Sequence, residues 1–142
     1  MATIYSTRVV ANGGRRGKVK SDDGILALDL AMPTEMGGLG GATNPEQLFA
    51  AGYGACFQSA LMFLMRGKDM TVDNDMIEVG CTVGLDPKAE GGFTLRAALD
   101  VTLKGIDQGT AEALVAEAHR MCPYSNAVRG NIPVDISVTG TD

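Results

Sequence analysis

The chain has 142 residues, a formal charge of -5 and a pI near 4.8. That length fits one domain, residues 1–142, with a core of ordinary size. The acidity excludes nucleic acid and anionic membrane surfaces as partners, because both demand a concentrated basic patch, and Arg15, Arg16, Lys18 and Lys20 are too few to supply one.

The apolar runs are read as shorter than the roughly 18 residues that span a bilayer, and Met-Ala-Thr-Ile-Tyr-Ser lacks the charged and apolar regions of a signal peptide. A cytoplasmic protein without a membrane is therefore expected. That compartment keeps thiols reduced, so three cysteines read as catalytic or incidental, not as a disulfide framework.

In chain order, the β-branched run from Ile4 to Ala11 predicts a strand, and Asn12-Gly13-Gly14 supplies the positive φ angles of a tight hairpin. Arg15 to Ser21 is the expected return strand. Asp22-Asp23-Gly24 makes a second turn, and Ile25 to Met32 a third strand with Leu26, Leu28, Leu30 and Met32 on one face. The glycine-rich stretch from Pro33 to Thr43 is expected to be a flexible loop. It lacks the Lys-Ser/Thr of a P-loop and the third glycine of a dinucleotide fingerprint.

Asn44-Pro45-Glu46-Gln47 has the cap, first-turn proline and third-position glutamine that open a helix. Leu48, Phe49, Ala51, Ala55, Cys56, Ser59, Ala60, Phe63 and Leu64 then recur at helical spacing, predicting a central helix buried on most sides. Two alternating runs, Ile77 to Leu85 and Phe93 to Leu103, predict a second hairpin. Asp107 caps a helix with an apolar stripe ending at Cys122. Pro123 disfavours helical geometry at that cysteine and opens a further turn to Arg129, closed by Gly130, before a last strand at Ile132 to Val138. The order βββ-α-ββ-α-β is α+β, and without a repeated βαβ unit it argues against a doubly wound parallel sheet.

Cys56 and Cys122 lie 66 residues apart, too far for a local redox motif. A cysteine on a buried helix is usually a small hydrophobe, but Gly52 and Gly54 could break this helix and give Cys56 a fresh N-terminus that favours thiolate. Cys122, at a helix junction, could move as a resolving thiol must. Cys81, mid-strand beside Val79 and Val83, reads as packing, and His119 as a surface residue.

A thiolate among Leu, Phe and Met side chains needs a cation. Arg15, beside the Gly-Gly turn, is the first candidate and Arg16 its competitor. Glu46 precedes Cys56 by ten residues, about 15 Å along a straight helix. It therefore serves that thiol only if the helix bends at Gly52-Tyr53-Gly54 or a second subunit supplies the carboxylate. One His and three scattered Cys do not make zinc spacing, so neither a metal nor a cofactor is expected.

Three segments carry a family resemblance: Gly13-Gly-Arg15, the run from Gly37 through Asn44-Pro-Glu-Gln-Leu-Phe-Ala-Ala-Gly-Tyr-Gly-Ala-Cys56, and Ala118-His-Arg-Met-Cys-Pro-Tyr-Ser-Asn-Ala-Val-Arg-Gly-Asn131. They resemble the organic hydroperoxide resistance (Ohr) proteins of the OsmC/Ohr superfamily, nearly end to end. The short link between the first helix and second hairpin, with Cys-Pro-Tyr-Ser-Asn, favours the Ohr branch. The resemblance implies an intertwined homodimer whose antiparallel sheets wrap two central helices, with active sites between subunits. It implies a cysteine-based peroxidase that reduces organic hydroperoxides. Cys56 would be the peroxidatic thiol and Cys122 the resolving one, with Arg15 and Glu46 activating the thiolate and a dithiol, as on a lipoylated protein, as reductant.

Organic substrates are expected to outrun hydrogen peroxide at an apolar mouth, for which Phe49, Phe57, Met62 and Met65 are candidates. The rivals are a thiol sensor or binding protein of the same fold, and a purely structural pair of cysteines.

Overall fold

A computed structural model describes residues 1–141. It divides into two compact units, 1–48 and 49 onward. The first unit holds a three-stranded antiparallel meander of β1 (Val9–Asn12), β2 (Lys18–Ser21) and β3 (Ala27–Asp29). These strands are shorter than the sequence suggests. Gly13 and Gly14 adopt φ of 84° and 59°, as the turn requires, but Gly14–Arg16 winds into one 3-10 turn before the return strand begins. Arg15 therefore projects from the turn itself and does not start a strand.

Only Leu30 and Ser21 are buried in this unit, while Val9, Val10, Leu26 and Leu28 remain 36 to 43% exposed. The glycine-rich stretch is a loop, with local turns within it. A 3-10 turn at Thr34–Met36 and bonds from the Gly38 and Gly40 N–H groups to the Pro33 and Met32 carbonyls tie it down. A Cβ on Gly38 would lie 2.1 Å from the Met32 carbonyl oxygen, so that close approach demands glycine.

Helix α1 (Pro45–Gly67) starts where the capping signal places it, with the Asn44 carboxamide oxygen accepting the Gln47 N–H at 2.9 Å. The Gln47 side chain turns instead to the Thr43 hydroxyl, at 2.7 Å, so the reciprocal box is not formed. The helix is continuous through Gly52-Tyr53-Gly54, which corrects the expected break and the fresh helix start at Cys56. Its 23 residues include a window of mean hydropathy 1.5, long and apolar enough by length and composition to cross a membrane, contrary to the reading of the apolar runs. A core helix passes the same test, and one face of this one is core: Tyr53, Phe57, Leu61 and Met65 are fully buried. Burial is less complete than expected, since Ala51, Ala55, Ser59 and Phe63 form an exposed stripe one turn apart.

In the second unit, β4 (Ile77–Pro87) and β5 (Phe93–Lys104) make the expected long hairpin, and β6 (Val134–Thr141) joins β5 in parallel. The connection from β5 to β6 runs through α2 (Gln108–Met121) and α3 (Pro123–Val128), a single crossover, so this sheet is mixed while the class stays α+β. Asp107 caps α2 through the Thr110 N–H at 3.0 Å. Alternation along β5 sends Ala97, Leu99, Val101 and Leu103 into one core with α1 and with Ala111, Leu114, Val115 and Ala118 of α2. Each fully buried Leu or Val there contributes about 1.5–3 kcal/mol.

Candidate active site

Cys56 and Cys122 meet within the second unit, their sulfurs 3.5 Å apart and both free thiols. Cys56 comes from the middle of α1. Cys122 ends α2 and begins α3: its N–H reaches the Ala118 carbonyl at 2.8 Å, and its own carbonyl accepts the Asn126 N–H at 2.9 Å. The sequence therefore locates this junction correctly, with Pro123 as the first residue of the new helix. Cys122 is fully buried and Cys56 only partly so, which makes Cys56 the thiol a dissolved molecule reaches first.

Burial pushes the Cys56 thiol up, and the Cys122 thiol pushes it further. The Tyr124 backbone N–H, in the first turn of α3, acts against both by favouring thiolate. The helix start that acts on Cys56 is thus that of α3, not one made by a break in α1. Gly52 serves this arrangement differently from the expectation. A Cβ there would lie 2.6 Å from the Tyr124 hydroxyl, so glycine lets that ring lie on α1. Phe49, Tyr53 and Tyr124 pack as a triad with centroids 5.8 to 6.3 Å apart, and Tyr124 keeps 38% exposure. Among the residues proposed for an apolar mouth, Phe49 and Met62 are partly buried. Phe57 and Met65 are fully buried in the core and cannot line an opening.

His119 is not the surface residue the sequence suggests. Its Nδ1 lies 2.8 Å from the hydroxyl of buried Ser125, and that hydroxyl lies 2.8 Å from the hydroxyl of buried Tyr53. Arg129 donates to the His119 carbonyl and, at 2.6 Å, to the Asn126 side chain. Nothing in helical periodicity reveals this group. The nearest signal is a polar Ser and His on either side of a buried cysteine.

Burial, then Arg129, holds His119 below its ordinary value of 6.5, so the unfolded chain binds the proton more readily. That contribution to stability is complete above pH 6.5 and is lost as pH falls through and below it. The urea midpoint is expected to drop between pH 7 and 5.5 and to drop less in His119→Asn. Identical slopes for the two proteins would refute this.

The other two residues singled out by sequence meet within the first unit. Arg15 and Glu46 form a two-pronged pair, Nη1 to Oε2 at 2.7 Å and Nη2 to Oε1 at 2.6 Å, with side chains 31% and 17% exposed. The hydrogen bond from Arg15 holds the Glu46 carboxyl below its ordinary value, and the same bond raises the arginine. Arg16 takes no part. It borders a cavity of about 350 Å³ with Leu30, Met32 and the glycine loop. Cys81 sits mid-strand in β4, raised first by burial and then by Asp100.

An α+β protein with two unlike cysteines in sulfur contact, one at a helix junction, defines a narrow class, and the comparisons with known proteins agree on it. The family model for OsmC-like proteins matches residues 38–137. The Staphylococcus epidermidis "Organic hydroperoxide resistance protein-like 2" is 48% identical over 138 residues, 96% of each chain. Bacillus subtilis "Organic hydroperoxide resistance protein OhrA" is 46% identical over 138 residues, covering 95% of this chain and 96% of its own. A crystal structure of an organic hydroperoxide resistance protein OsmC from Legionella pneumophila superposes with a TM-score of 0.92 at 50% identity, covering 97% and 99% of the two chains. The chain belongs to the OsmC/Ohr superfamily, in its organic hydroperoxide resistance branch.

Proposed function

We propose that this protein is a thiol-dependent peroxidase that reduces organic hydroperoxides to alcohols. The 3.5 Å contact of a partly exposed Cys56 with a buried Cys122 is the observation that supports it most. In this reading the Cys56 thiolate attacks the distal oxygen of the hydroperoxide, the O–O bond breaks, and an alcohol leaves with a proton. Cys56 becomes a sulfenic acid, and Cys122 displaces water from it to form a disulfide. A dithiol then reduces the disulfide and is itself oxidised; we assign that role to a lipoylated protein of the cytoplasm.

Burial alone would leave Cys56 protonated near neutrality, and the groups of its own unit that act on it include no cation. We assign the missing charge to Arg15, oriented by Glu46. A guanidinium held end-on by a carboxylate fork keeps its Nε–H and second Nη2–H free along one edge, which we assign to the thiolate and the breaking O–O bond. The whole chain then acts as one domain of a homodimer, with Arg15 and Glu46 serving the thiols across the subunit boundary. Two features favour a dimer: the uncovered apolar residues of the first sheet and the exposed Ala51, Ala55, Ser59 and Phe63 stripe. Phe49 and Tyr124 would offer the alkyl part of the substrate an apolar rim, favouring organic hydroperoxides over hydrogen peroxide.

Steady-state consumption of cumene hydroperoxide and hydrogen peroxide, with dihydrolipoamide as reductant, tests the assignment. Sustained turnover with a kcat/KM at least about tenfold higher for the organic oxidant is expected, the scale of one or two buried methylenes. A single stoichiometric oxidation without turnover would instead mark a thiol sensor.

A further inference from the structure

Among the contacts between α1 and the start of α3, two that involve side-chain oxygen or sulfur lie one helical turn apart on both elements. Tyr53 precedes Cys56 by three residues, and Ser125 follows Cys122 by three. Tyr53 meets Ser125 at 2.8 Å while Cys56 meets Cys122 at 3.5 Å. On a helix, residues three apart share a face, so the oxygen contact and the sulfur contact are successive rungs of one crossing.

The oxygen rung is fully buried and has a third member. Ser125 is completely shielded from solvent and also meets His119 Nδ1, on the α2 side of the Cys122 junction. With the imidazole neutral and Nδ1 unprotonated, each proton has one destination: Tyr53 donates to Ser125, and Ser125 donates to His119. No buried side-chain oxygen or nitrogen is left without a partner among the described residues. Arg129 braces the same corner by donating to the His119 carbonyl. A serine that only filled space would not need two side-chain partners on two other helices.

We propose that the buried Ser125 hydroxyl is the positioning group of the thiol pair, holding Cys122 against Cys56 by tying α3 to Tyr53 of α1 and His119 of α2. A disulfide needs its sulfurs at about 2.05 Å, so the start of α3 has little distance to close and no freedom to swing away. Loss of the oxygen rung lets the junction at Cys122 unwind and lowers the effective concentration of one thiol at the other. The consequence for peroxide chemistry rests on the peroxidase reading: a sulfenic acid at Cys56 that waits longer for Cys122 meets a second hydroperoxide, gaining an oxygen to become sulfinic acid as a second alcohol leaves.

The test has two arms on the full-length protein. In the first, the equilibrium between dithiol and Cys56–Cys122 disulfide is measured against reduced and oxidised dithiothreitol for wild type, Ser125→Ala, Tyr53→Phe, His119→Ala and His119→Asn. The disulfide constant is expected to fall about tenfold in Ser125→Ala, Tyr53→Phe and His119→Ala, the scale of one buried hydrogen bond. It should recover in His119→Asn, whose amide oxygen replaces Nδ1 as acceptor. Thermal unfolding of the reduced proteins identifies any variant that fails to fold. If Ser125→Ala is one of them, Tyr53→Phe decides, because it removes one oxygen and keeps the ring. Unchanged or raised constants in folded variants overturn the proposal. In the second arm, one dose of cumene hydroperoxide should give about tenfold more sulfinic acid, relative to disulfide, in Ser125→Ala than in wild type. A wild type that consumes no peroxide refutes the peroxidase reading, and the first arm still decides the role of Ser125.

Discussion

Cys56→Ser is expected to abolish hydroperoxide consumption, by at least about 10³-fold in kcat/KM, and Cys122→Ser to retain the first oxidation while losing turnover with the dithiol. The reasoning is chemical. A serine hydroxyl at position 56 is not deprotonated near neutrality, and the Tyr124 N–H that favours a thiolate there is far too weak to ionise it. At position 122 the substitution leaves the α2–α3 junction intact, because its hydrogen bonds are made by backbone. It places a hydroxyl in a fully buried site, which costs about 1–3 kcal/mol of stability if no partner is found. What is lost is the nucleophile that removes the sulfenic acid, so Cys56 should progress to sulfinic acid under excess oxidant. Peroxide assays with intact-mass detection check both outcomes. Equal consumption of the first equivalent of hydroperoxide by the two variants would contradict the division of roles.

The second large effect falls on the ion pair. Arg15→Met is expected to lower kcat/KM about 10²–10³-fold, the range seen when a preorganised donor to a developing charge is removed. Arg15→Lys should recover little of it, since an ammonium cannot reproduce the two-pronged bond at 2.6 and 2.7 Å. Glu46→Gln keeps a hydrogen-bond acceptor but not the charge, and should lose less. The pH profile separates these groups. Glu46 is held below the usual carboxylate range by Arg15, so its share of stability is present above that range and disappears only as pH falls through it. That pair stays intact above the carboxylate range, so the limb along which the rate rises with pH is expected to report ionisation of the Cys56 thiol. Arg15→Met should shift that limb to higher pH. A limb that does not move would mean that Arg15 does not stabilise the thiolate.

Where local chemistry determined structure, the sequence was legible. Asn44 and Asp107 cap the helices they were expected to cap, Pro123 opens a helix after a cysteine held at the junction, and the alternation in β4 and β5 produces their hairpin. What could not be read depends on partners distant in sequence. Strand order alone does not say that β6 lies parallel to β5, because that pairing is decided by where α2 and α3 carry the chain. Gly52 looked like a helix breaker because its low propensity is a local property. Its use, admitting the Tyr124 ring, involves a residue from another helix. His119 looked like a surface residue for the same reason: its partner Ser125 lies beyond the proline, and the third member, Tyr53, is 72 residues from that serine. Among the site residues, the meeting of Arg15 with Glu46 and of Cys56 with Cys122 followed from resemblance to a family and not from spacing.

Cys56 and Cys122 are expected to act as one redox pair on an organic oxidant. The most direct test is the intact mass and free-thiol count of reduced wild-type protein, followed over seconds after one equivalent of cumene hydroperoxide. Two thiols and the mass of two hydrogens should be lost, with Cys56 and Cys122 joined in the digest and Cys81 still free. A chain that keeps all its thiols, or that pairs Cys81 instead, would contradict it.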